Sequence, residues 1–117
     1  MIVQQVKDLA QQIAPEVKSI REHIHANPEL SFEEYNTQQF IIDKLTAFGI
    51  NDFKKIGTTG IVGEIVGGKP GPVKALRADM DALPILEQNQ VNYKSKNEGV
   101  MHACGHDVHS ACLLGAL

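Results

Sequence analysis

The stretch His102-Ala103-Cys104-Gly105-His106-Asp107-Val108-His109 holds three of the five histidines and one of the two cysteines of the chain. Cysteine and histidine suit zinc, and histidine also suits manganese, cobalt and nickel. Residues two apart point in different directions in a regular helix or strand. Cys104 and His106 can therefore meet at one ion only if Gly105 lets the backbone turn sharply. A loop leading into a helix is the arrangement this requires. Two other readings fit the same residues. One is a small buried cysteine beside surface histidines. The other is a cysteine nucleophile, Cys104, served by a histidine from a distant part of the chain.

A second cluster is Arg77-Ala78-Asp79-Met80-Asp81-Ala82-Leu83-Pro84. It follows a strand candidate, which puts Asp79 and Asp81 at the C-terminal end of that strand, where open α/β sheets place ligands. Carboxylates there can bind a metal, orient a ligand histidine or exchange protons. The same pair could instead cap a turn and neutralise Arg77. His23 and His25 fall near the end of the first helix, where an imidazole suits the helix dipole, and they read as structural or surface residues. The glycine-rich turns at 57–60 and 67–71 fit no phosphate-loop pattern, because no Gly-Lys-Ser or Gly-Lys-Thr follows, and they read as hairpin turns.

The elements that must position these residues follow from periodicity. Val3, Val6, Leu9, Ile13, Val17, Ile20 and Ile24 recur at helical spacing. Pro15 predicts a kink near 11–15 or two abutting helices, and Asn27-Pro28 ends the segment. Ser31 with Glu34 reads as a capping box for a second helix, with Leu30 and Tyr35 as its hydrophobic staple. Phe32, Tyr35, Ile41, Ile42, Leu45 and Phe48 supply the buried face, and Gly49 is the left-handed stop. Strand candidates follow at 52–56, 60–66 and 73–78, and Gly57-Thr58-Thr59-Gly60 reads as a turn. Residues 83–100 read as an irregular surface stretch. A last helix begins near His106 and ends in the apolar run Ala111 to Leu117, where Leu113, Leu114 and Leu117 are expected to be buried by further chain, so the sequence reads as a fragment. The fold class is α/β: two helices, then a mixed sheet, then a helix starting at the metal loop.

Composition narrows the function. With 11 Lys plus Arg against 14 Asp plus Glu, the net charge is −3 and the pI about 5.9. That balance gives no electrostatic footprint for nucleic acid. No apolar run approaches the ~20 residues that span a bilayer. Cys104 and Cys112 on one helix would lie about 12 Å apart along its axis, too far for a disulfide. Free thiols and the absence of a signal-like N-terminus predict a cytoplasmic setting.

The two clusters together resemble the amidohydrolase branch of the co-catalytic, two-metal aminoacylase/carboxypeptidase metallopeptidases. That branch includes hippurate hydrolases, N-acyl-amino-acid amidohydrolases and indoleacetate–amino-acid hydrolases. The metal motif is similar over His102 to Ala111, the first motif over Arg77 to Ile85, and the N-terminal signature over His25 and Asn27 to Glu34. Ser95 to Met101 matches the approach to the metal loop. The resemblance implies a zinc-peptidase-like catalytic domain, of which this chain is the N-terminal part. The rest of that domain, with the catalytic Glu and later His ligands, and an inserted dimerisation domain fall outside residues 1–117. It further implies two divalent ions (zinc, manganese, cobalt or nickel), with Cys104 and His106 as ligands and Asp81 as the supporting catalytic carboxylate. Relatives outside the branch carry a ligand histidine at the position of Asp79, whose role stays open. The implied reaction is hydrolysis of the amide bond of N-acyl amino acids or small peptides, in a homodimer. The alternative is a non-catalytic metal-binding or interaction fragment.

Overall fold

The computed structural model describes all 117 residues. Helix α1 spans Ile2–Ala26 and α2 Tyr35–Ala47; β1 is Phe53–Ile56, β2 Gly60–Gly63, and α3 His106–Ala116. Pro15 does not divide the first helix, which runs unbroken for 25 residues. One missing N–H is tolerated because the ladder continues on either side of it. Only the C-terminal half of α1 is packed: Ile20 and Ile24 are buried, whereas Val3, Val6 and Leu9 of the same stripe are exposed.

The start of α2 differs from expectation. Ser31 and Glu34 form no capping box, and the helix has no side-chain cap from Glu34. The carboxylate of Glu29 takes the cap's place: it accepts from the Thr37 amide and hydroxyl at 2.6 Å and from the Asn36 amide at 3.2 Å. An anion there satisfies free N–H groups and complements the positive helix end. Phe32 and Tyr35 are exposed and make no buried face. Phe32 adopts φ +66°, a left-handed conformation uncommon outside glycine. The other end of α2 follows the sequence. Gly49 has φ +80°, its amide reaches Thr46 O, and the Ile50 amide reaches Leu45 O, the paired bonds of a Schellman stop.

The sheet is smaller than expected. β1 and β2 form an antiparallel hairpin, with Phe53 opposite Gly63 and Ile56 opposite Gly60. Residues 73–78 form no strand, because extended backbone becomes a strand only when a neighbour accepts and donates its hydrogen bonds. Val73 and Leu76 are correspondingly exposed, at 93% and 71%. The mixed three-stranded sheet is thus a two-stranded one here.

The apolar core joins Ile20 and Ile24 of α1, Leu45 of α2, and Ala111 and Leu114 of α3, with Val17, Phe40, Ile41, Ile50, Phe53 and Ile61 around it. Leu114 is therefore buried within this chain, against expectation, while Leu117 is 46% exposed. Helices α1 and α3 touch closely at Gly115: a Cβ built there would lie 2.5 Å from Val17 Cγ2. Of the 17 buried residues, nine are polar or charged, and five of these (His25, Glu87, His102, Asp107 and Ser110) belong to the site described next.

Candidate metal centre

Short backbone ties bring three distant segments together. The Ala82 amide donates to Glu29 O at 2.8 Å, and Leu83 and Met101 exchange both backbone bonds at 2.9 Å. Gly105, at φ +146°, then swings the chain into α3, whose first turn closes with the His109 amide on Gly105 O. Only glycine adopts that φ without strain, so the sharp turn expected between Cys104 and His106 is present.

These ties set Asp81 against His106. The His106 Nδ1–H donates to Asp81 Oδ1 at 2.9 Å and faces Asp81 O at 3.0 Å, while the Ser31 hydroxyl donates to Asp81 Oδ2 at 2.8 Å. Burial pushes the Asp81 carboxyl up, but the Ser31 hydroxyl, its own amide and His106 outweigh this and hold it below the usual carboxylate range. With Nδ1–H committed, the lone pair of His106 is at Nε2. That nitrogen lies 4.0 Å from Asp79 Oδ2. Asp79 is held by Arg77 at 2.6 Å, and its carbonyl accepts from the buried Ser110 hydroxyl at 2.9 Å.

A histidine whose Nδ1–H is held by a carboxylate and whose Nε2 is free has the geometry of a metal ligand. Cys104 takes no part in this hydrogen-bonded chain; it is an exposed free thiol two residues before His106. Imidazole nitrogen and thiol sulfur are donors that zinc-like ions accept. The donor set thus fits a divalent ion. It is also short, for no group of three or more His, Cys, Asp and Glu side chains is arranged to hold one.

Behind α3 lies a buried ionic network that sequence reasoning missed. His25 is 3% exposed. Its Nδ1 is 2.8 Å from Asp107 Oδ2, and its Nε2 is 2.9 Å from Glu87 Oε2. Arg21 reaches Asp107 Oδ2 at 2.9 Å, and the Ser95 amide reaches Glu87 Oε1 at 2.7 Å. Burial raises both carboxyls, and the bonds from His25 first, then from nearby amides, bring each below its ordinary range. Glu87 sits in the stretch read as irregular surface, and nothing in its sequence neighbourhood marks it as buried. His102 is buried with both ring nitrogens lacking a partner, and burial holds its pKa below the usual value. His23 stacks on Phe40 at 3.9 Å. It lines a cleft of about 330 Å³ with Glu29 and Lys96. None of Asp81, Cys104 and His106 borders that cleft, so the candidate centre lies outside it.

Residues 75–117 match the model of Peptidase family M20/M25/M40. The chain as a whole resembles proteins about three times its length. It is 47% identical over 115 residues to the N-acyl-L-amino acid amidohydrolase of Geobacillus stearothermophilus, covering 98% of this chain and 31% of that protein. It is 49% identical over 115 residues to thermostable carboxypeptidase 2 of Saccharolobus solfataricus, covering 97% and 29%. Among solved structures, the Bacillus subtilis YXEP protein, described as a dinuclear metal binding peptidase from the M20 family, superposes with a TM-score of 0.83 at 40% identity. That match covers 89% of this chain and 29% of the other. The chain thus spans about 30% of the length of the relatives it matches.

Proposed function

We propose that this chain is the N-terminal portion of the catalytic domain of a metal-dependent amidohydrolase, which cleaves the amide bond of N-acyl amino acids or small peptides. The observation that carries this reading is His106, held at Nδ1 by Asp81 with Nε2 free, at the mouth of a helix two residues beyond a free thiol. The relatives' names supply the reaction class and the substrate class.

In this reading Cys104 and His106 hold part of a two-ion centre, of zinc, manganese, cobalt or nickel. When bound, such ions polarise the scissile carbonyl and stabilise charge on its oxygen. Asp81 keeps the proton of His106 on Nδ1 and so fixes which nitrogen faces the centre. Ser31 stops the carboxylate from rotating away. A catalytic zinc site takes three protein ligands, so the remaining ligands and the proton-transferring carboxylate belong to parts of the family fold outside these residues. The inserted domain, and dimerisation through it, belong there too. A reducing, cytoplasmic compartment suits the two free thiols.

The test is hydrolysis of hippurate and N-acetyl amino acids by the full-length protein, before and after chelation and metal add-back. Activity is expected to vanish on chelation, to return with a divalent ion, and to be absent from residues 1–117 alone. Activity that survives chelation but is abolished by thiol alkylation would instead identify Cys104 as a nucleophile. Metal uptake by a full-length protein that hydrolyses none of these substrates would favour a metal-binding module.

A further inference from the structure

We propose that His25 is a positioning residue for the metal loop: its ring, fixed between Asp107 and Glu87, holds the first turn of α3 from which His106 projects. The inference rests on the metal-site reading above and assigns His25 no contact with metal or substrate.

The geometry leaves the ring no other role. Nδ1 is 2.8 Å from Asp107 Oδ2, and Nε2 is 2.9 and 3.1 Å from the two oxygens of Glu87. Each nitrogen is thus occupied by a carboxylate oxygen at hydrogen-bond distance. Neither is free to ligate an ion or to take a substrate proton. Two carboxylates face His25 and Arg21 in one contiguous network. All members but Arg21 are nearly sealed, since the side chains of His25, Glu87 and Asp107 are 4%, 1% and 2% exposed.

The placement of the partners gives the network its reach. Asp107 directly follows His106 and is the second residue of α3. Glu87 is anchored by the Ser95 amide at 2.7 Å and the Asn89 side chain at 3.2 Å, within the segment that leads to the metal loop. One ring at the end of α1 therefore fixes both the approach to the loop and its exit. An apolar residue of similar size would fill the same space, but would leave the buried Glu87 without a charged partner and Asp107 with Arg21 alone. Ligand geometry tolerates little displacement, because positioning errors near 1 Å are costly at metal and catalytic sites.

The experiment uses the full-length protein and three variants. His25→Phe keeps the ring and removes both nitrogens, Glu87→Gln removes one charge, and Leu45→Ala weakens the apolar core away from the network. Zn²⁺ affinity is measured by competition with a chromogenic chelator, the Co²⁺ form by its visible spectrum, and stability by urea unfolding. His25→Phe is expected to bind Zn²⁺ about 10- to 100-fold more weakly and to shift the Co²⁺ bands. Glu87→Gln should show the same change at smaller size. Leu45→Ala should lower the urea midpoint with affinity and spectrum unchanged. Wild-type affinity and an unshifted spectrum in His25→Phe would overturn the inference. If that variant does not fold, wild-type behaviour of Glu87→Gln would overturn it equally. A wild-type protein that takes up neither Zn²⁺ nor Co²⁺ would remove the metal-site reading itself, and this inference with it.

Discussion

His106 Nδ1 lies 2.9 Å from Asp81 Oδ1, across 25 residues of chain. This contact decides which face of the imidazole is available. Replacing Asp81 by Ala removes the carboxylate and leaves Nδ1–H only the backbone carbonyl of residue 81, at 3.0 Å, so the ring is held less firmly. The Asp81→Ala full-length protein is expected to bind Zn²⁺ about 10- to 100-fold more weakly, and Asp81→Asn, which can still accept from Nδ1–H, to lose less. Competition titration with a chelator checks both. Equal affinity of Asp81→Ala and wild type would show that the ring is held by other contacts.

The α1–α3 contact gives a stability prediction. Alanine is a better helix former than glycine by ~1 kcal/mol, so Gly115→Ala would stabilise an open helix. Here the new methyl meets Val17 Cγ2 at 2.5 Å. Overpacking of that kind costs about 1–3 kcal/mol, so Gly115→Ala is expected to lower stability in urea denaturation. The double variant Gly115→Ala with Val17→Ala should be more stable than the sum of the single effects predicts, because the clash is relieved.

Acid should weaken the fold in two stages. The folded-state pKa of His102 is below 6.5, chiefly through burial. The unfolded chain therefore binds that proton first as pH falls, and stability declines from about pH 6.5 downward. Asp81, Glu87 and Asp107 are held below their ordinary values despite burial. Their contribution is fully present above the unfolded values, near 3.9 for Asp and 4.3 for Glu, and is lost as pH falls through the lower folded values. Urea midpoints measured from pH 3 to 8 should fall gently between about pH 6.5 and 5 and steeply below about pH 4.5. His102→Gln should flatten the gentle part alone.

Local backbone signals were the legible part of this sequence. Gly49, the 57–60 turn and Gly105 each mark a place where only glycine or a tight turn suits the chain, and the structure uses all three. Asp81 beside His106 was foreseen from the resemblance, not from spacing. Apart from Pro15, the failures below share one cause, which is a partner far away in sequence. Ser31 looked like a cap for α2, but its hydroxyl is taken by Asp81, 50 residues on, and Glu29 caps the helix instead. His25 and Glu87 looked peripheral because the contact that buries them spans 62 residues. Residues 73–78 have strand composition, yet a strand needs a neighbour that no stretch of this chain provides.

The distances along the chain also dictate an order of assembly. The bonds of His25 and Arg21 to Asp107 close loops of 82 and 86 residues, whereas the β1–β2 hairpin closes within 11 residues. Long closures form late, since their entropy must be overcome before any contact rewards it. The hairpin and the isolated turns of each helix thus precede the docking of α3 on α1. Until that docking, Asp107 lacks its bonds to His25 and Arg21. On the proposed metal-site reading, a divalent cation that binds only the docked state would slow unfolding more than it speeds folding.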